Sequence, residues 1–187
     1  CVQPSEPQAE WPDVGGRPPL REKNRVFAEL LAMSMACDQV RVVSNFVTKP
    51  VSDVLFPSVD GAHHQLTHDE PGDQPQVHAI TIQCIEMYAD MVRAMDAIQE
   101  GEGTLLDHSV LVGSSEVSLG RLHSLDEFPF LVAGSANGRL RTGVHIRTEG
   151  EITSKAQLSV LRAVGVQRAS WGEGDHRATE GLSDLEA

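Results

Sequence analysis

Apolar positions recur every three or four residues in three stretches of this 187-residue chain. Between Arg21 and Asp38, Val26, Phe27, Leu30, Leu31, Met35 and Ala36 fall at helical spacing, which predicts a helix packed on something. Val77, Ile80, Cys84, Met87, Met91, Met95 and Ile98 mark the most regular stripe, over Val77 to Gln99, and Gly101 and Gly103 stop it. A last helix is predicted from Ser154 to Val164, with Thr153 or Ser154 as its cap and Gly165 beyond its end. The runs Val40–Val47 (VRVVSNFV), Ser109–Ser115 (SVLVGSS) and Phe128–Ala133 (FPFLVA) are short and rich in β-branched residues, so they predict strands, and Gly143–Thr148 predicts a short edge strand. Strands that alternate with helices and read as apolar on both faces imply an α/β fold, a mostly parallel sheet flanked by helices. Ligands in such folds gather at the carboxyl ends of strands.

Punctuation residues divide the rest. Five prolines with Gly15 and Gly16 make residues 1–20 an extended arm. Residues 21–170 form the α/β domain, and 171–187 an acidic tail expected to be solvated. Ser52 to Pro75 is polar and without a period, which reads as a long loop, and long loops tend to be functional. The chain carries 15 Lys+Arg against 27 Asp+Glu, a net charge of −12 that disfavours nucleic acid as a partner. Cys1, Cys37 and Cys84 match neither a metal knuckle nor a disulfide framework. No apolar run approaches the ~18 residues of a membrane span, and the first residues lack the layout of a signal peptide.

Candidate chemistry concentrates in the loop. Asp60-Gly61-Ala62-His63-His64-Gln65-Leu66-Thr67-His68-Asp69-Glu70 places three histidines and three carboxylates within one short segment. Imidazole with carboxylate is a ligand mix for zinc, iron or manganese. A folded loop can aim Asp60 and His64, or His64 and His68, at one ion; a solvated His-rich loop that binds nothing is the plainer alternative. A second cluster begins where the strand SVLVGSS ends: Ser114, Ser115 and Glu116, then Arg121 and His123. Glu116 and His123 occupy the strand-end position where ligands collect, although a Glu116–Arg121 ion pair and a turn histidine would explain them equally well. His78, His108, His145 and His176 read as structural. GSSEV lacks the G-x-S-x-G elbow of serine hydrolases.

Four phrases resemble the HXXSHH family of bacterial exported proteins: HHQLTHDEPGD at His63–Asp73, GEGTLLDHSVLVGSSEVSLGRLHS at Gly101–Ser124, FPFLVAGSANGRLRTGVHIR at Phe128–Arg147 and LSVLRAVGV at Leu158–Val166. The namesake motif falls on His64–Asp69, with Thr67 in place of Ser and Asp69 in place of the final His. The resemblance implies an exported protein, periplasmic or at the cell surface, of which this chain is the C-terminal portion, its partner being the N-terminal half of the family domain. It also implies a distant similarity to the alkaline phosphatase and sulfatase superfamily, and so an alkaline-phosphatase-like C-terminal half. By that likeness Asp60, His64, His68, Glu116 and His123 are the metal ligands, with His63, Asp69, Ser115 and Arg121 as supporting or alternative ligands. The cofactor implied is a divalent metal, zinc or manganese first, calcium or iron next. Two functions follow: a metal-dependent hydrolase of small anionic phosphate or sulfate esters, or a non-catalytic exported module that binds metal or assists assembly.

Overall fold

The computed structural model describes residue 4 and residues 6–187. Cys1 and the remaining arm positions, 2, 3 and 5, lie outside the described residues. The chain divides into two compact units, residues 1–98 with 116–126, and residues 99–115 with 127–187.

The first unit is helical. α1 (Leu20–Ala36) packs along α3 (Pro75–Asp96), and α2 (His63–Asp69) lies against α3. The buried face of α1 is Asn24, Ala28 and Ala32, an i, i+4, i+8 row, while Phe27 and Leu30 of the predicted stripe are exposed. The reason is size: two alanines let the helix axes approach, and Asn24 Nδ2 reaches the carbonyl of Met87 at 3.0 Å. On α3 the predicted stripe holds, with Ile80, Met87 and Met95 buried. The core beside it is Phe56, Val59, Ile80 and Met87, with Leu20, Val47, Val54, Leu66 and Cys84 packed around it. Asp90 fastens the two helices: its carboxylate accepts from Arg21 at 3.0 Å, Arg25 at 3.1 Å and Arg93 at 2.5 Å. Burial pushes that carboxyl up, and the hydrogen bonds and charges of Arg21 and Arg25 outweigh it, holding Asp90 below the usual carboxylate range. The described part of the arm has no helix and turns once, at Gly15–Gly16 between paired Val14 and Arg17. Arg17 ties it down through the carbonyls of Phe56 and Val59.

The second unit is built on two small antiparallel pairs. β1 (Gln99–Glu100) pairs with β2 (Gly103–Thr104), and β3 (Leu111–Ser114) pairs with β4 (Phe130–Ala133) in the register Leu111↔Ala133 to Ser114↔Phe130. α4 (Thr153–Ala163) closes a core of Ala136, Leu140, Ala156, Ala163 and Leu185. The acidic tail is part of this core. Leu140 bridges Glu186, Trp171 bridges Ala178, and buried Ser159 donates to Glu186 while accepting from the Leu182 amide, both at 2.7 Å. The tail expected to be solvated is exposed over most of its length and is anchored where Ala178 and Leu185 are buried and Leu182 packs against the core.

These four helices and two two-stranded antiparallel sheets overturn the mostly parallel α/β architecture and, with it, the alkaline-phosphatase-like sheet. Parallel neighbours need a crossover of about a dozen residues or more, usually a helix. The 115–129 connection between β3 and β4 holds no helix, and the strands meet as an antiparallel pair with alternating exposure. Val40–Val47 and Gly143–Thr148 form no strand. Cys37 is disulfide-bonded, a pairing the cysteine spacing did not suggest, and Cys84 is a free thiol that burial pushes up to about 11. Among the described residues no helix is long and apolar enough to cross a membrane.

Candidate functional site

Within the first unit, α2 and the 116–126 segment pack together. The segment Ser52–Pro75, expected to be a loop throughout, contains α2 because its backbone is held at both ends. The amides of His63 and His64 donate to the carbonyls of Val54 and Ser52, at 3.2 and 3.0 Å. At the other end Gln74 Nε2 donates to the carbonyls of Leu66 and Thr67 in the last turn, the first of which also accepts from the Glu70 amide. Buried Glu70 then starts the next helix, its carboxylate accepting from the amides of Gln76 and Val77 at 2.9–3.1 Å. A carboxylate on the free amides of a helix N-terminus satisfies them and complements the dipole.

One turn of helix separates His64 from His68, so both project from one face, with ring centroids 4.8 Å apart and planes at 70°. The second contributor is the 118–124 loop. Ser118 N and Oγ both donate to the carbonyl of Ser124 at 2.8 Å, and Leu119 pairs with Ser124 across the turn. Arg121 donates to the carbonyl of Glu70, which pins the loop to the end of α2. Gly120 lies so close to α2 that a Cβ there would stand 2.7 Å from Cβ of Thr67. The closure carries His123, in the left-handed region at φ 52°, to a centroid distance of 5.1 Å from His68 with the rings at 89°. His64 and His68 are half-buried and His123 is exposed.

Three of the five expected ligands are thus brought into one row, His64, His68 and His123. The two carboxylates are not. Asp60 is exposed and is held through its backbone amide by Gln76 Oε1 at 2.7 Å, and the exposed Glu116 makes no side-chain hydrogen bond or ion pair among the described residues. Of the supporting residues, Arg121 positions the loop, whereas Asp69 accepts a hydrogen bond from Gln65 on its own helix. His63 turns away into the core, 5.7 Å from the ring of Phe56, where burial lowers its pKa and His64 lowers it further. Ser115 belongs to the other unit. Among the described residues, no three His, Cys, Asp or Glu side chains are posed around a common ion position. Sequence reading missed Glu70, Gln74 and Gly120 as the residues that build the row. The run EPGDQP before a helix was the available signal for the cap. Comparison with protein-family models, curated proteins and solved structures found no match.

Proposed function

We propose that the chain binds a divalent metal ion through His64, His68 and His123. The observation that carries the reading is the pair of ring spacings, 4.8 and 5.1 Å. Two imidazoles bound to one tetrahedral zinc through nitrogens ~2.0–2.1 Å from the ion have ring centroids about 5 Å apart. Binding would turn these edge-to-face contacts into convergent nitrogens and draw His64 and His123 to the same mutual spacing. An all-imidazole set suits zinc, or iron, better than calcium, and manganese would want an oxygen ligand as well. Asp60 and Glu116 are outside this ligand set.

A second reading, hydrolysis of phosphate or sulfate esters, is favoured by one feature: exposed His123 leaves the outer side of the row open to solvent. Three protein nitrogens with a fourth position for water is the arrangement of catalytic zinc, where the metal acidifies its water and polarises a bound ester oxygen. This reading no longer draws on an alkaline-phosphatase-like sheet. Under the HXXSHH resemblance, an N-terminal half would complete the protein, which would work outside the cytoplasm.

Zinc titration with a competing chromophoric chelator tests the site. Each of His64→Ala, His68→Ala and His123→Ala should weaken binding at least tenfold, and wild-type affinity in all three would overturn it. Zinc-loaded protein assayed on generic phosphate and sulfate esters then separates the readings, since retention of zinc without cleavage supports a binding module.

A further inference from the structure

A second feature lies apart from the histidines. After α1 ends, the Ser34 carbonyl accepts from the amides of Gln39 and Val40, and then the backbone stops bonding. From Arg41 to Pro50 no amide donates and no carbonyl accepts a hydrogen bond among the described residues. Val42–Phe46 runs without turn or bend. Its ends are fixed: Arg41 makes a bidentate pair with Asp38 at 2.7 and 3.0 Å, Lys49 meets Asp53 at 3.1 Å, and Val47 packs on the Phe56–Ile80 core. Between these anchors Val42 is 91% and Phe46 72% exposed.

Unpaired extended backbone flanked by β-branched and aromatic side chains is a template for strand pairing. We propose that Val42–Phe46 pairs antiparallel with the same segment of a second copy of this chain, about a twofold axis at Ser44. The segment is self-complementary in that register. Val42 faces the partner's Phe46 and Phe46 the partner's Val42, so the segment's two most exposed apolar side chains cover each other twice on one face. Val43 meets Asn45, and Arg41 meets Val47. Residues 39–50 contain no acid and two cations, Arg41 and Lys49, and this register sets neither cation opposite a cation. A parallel in-register pairing would oppose Arg41 to Arg41 and Lys49 to Lys49, which is unfavourable for directly facing strands. Shifting the axis by one residue sets Val42 against Ser44 or Thr48 and loses the Val–Phe pairs. A twofold, isologous contact of this kind closes on itself and does not propagate.

The test is sedimentation of the full chain over a concentration series, with hydrogen exchange on the same samples. The expected result is a shift from 20.3 kDa to twice that mass, with amides in 42–46 slowing as the dimer forms. Val42→Lys and Phe46→Glu should each weaken association about tenfold or more, while circular dichroism, and thermal unfolding measured at dilutions where wild type and variants are all monomeric, stay as in the wild type because both side chains are exposed. The double variant V42K/F46E should restore the dimer, since each Lys then faces the partner's Glu. A monomer at every concentration overturns the proposal. So does a dimer whose 41–48 amides exchange freely, a double variant that fails to recover, or association seen only with a different polypeptide.

Discussion

At the scale of single residues, the histidine row depends on a contact that only glycine permits. Gly120 has no side chain to collide with Thr67, and the loop carrying His123 seats on α2 because of it. Gly120→Val should displace the loop and weaken the proposed zinc binding by about tenfold while leaving the helical content unchanged, as read by chelator competition beside circular dichroism. The thiol of Cys84 gives a separate check. Burial raises it to about 11, so little thiolate forms at neutral pH, and the thiolate is the nucleophile. Iodoacetamide should label Cys84 at pH 7 far more slowly in the folded chain than in urea, as followed by mass spectrometry. That His64, His68 and His123 are neighbours was legible, because i, i+4 spacing and a nearby loop histidine are visible in the sequence. Asp60 and Glu116 stand outside the row for a physical reason. Composition gathers acids and histidines in one stretch, but a helix points only every third or fourth residue the same way. The positions that orient the cluster, Glu70 and Gln74, act through backbone atoms, which sequence spacing does not display.

At the scale of elements, the three long helices were legible, whereas the short α2 and the pairing of the strands were not. Long periodic stripes fixed α1, α3 and α4 to within a few residues, since helical hydrogen bonds are local. The face of α1 was misread, because small residues bury more readily in a tight helix pair than the larger Phe27 and Leu30. The runs SVLVGSS and FPFLVA do form strands, β3 and β4, whereas VRVVSNFV forms none, because a strand exists only with a neighbour and this run finds none among the described residues. The joint between α1 and α3 can be tested at Asp90. Its folded pKa lies below the unfolded value, so its contribution is fully present above the unfolded value, near 4, and is lost as pH falls through the folded one. Asp90→Asn should cost about 1–3 kcal/mol at pH 7, as expected for hydrogen bonds to a charged group, and that deficit should shrink as the wild-type group protonates. Urea unfolding of both proteins at a series of pH values measures the difference. An equal deficit at pH 7 and pH 2 would contradict the assignment.

At the scale of the whole molecule, the chain visits its two units alternately. It leaves the second after β3, contributes 116–126 to the first, and returns through β4. The interleaving explains why composition drew the boundaries elsewhere: contacts, not linker-like stretches, separate the units, and the acidic end belongs to a core. That last point gives a prediction in which the two views of the tail diverge. Leu185 is 6% exposed and packs with Leu140, Ala156 and Ala163, while Glu186 and the Leu182 amide occupy both hydrogen-bonding roles of Ser159 under α4. Leu185→Ala leaves a cavity in that core and should destabilise the second unit by about 2–4 kcal/mol. Glu186→Ala strands a buried hydroxyl without its acceptor and should cost about 1–2 kcal/mol. A solvated tail would make both changes neutral, whereas substitution of exposed Asp184 should be neutral in either case. Native-state hydrogen exchange resolves the outcome by segment: amides of α4 should lose protection in Leu185→Ala and Glu186→Ala, and keep it in Asp184→Ala.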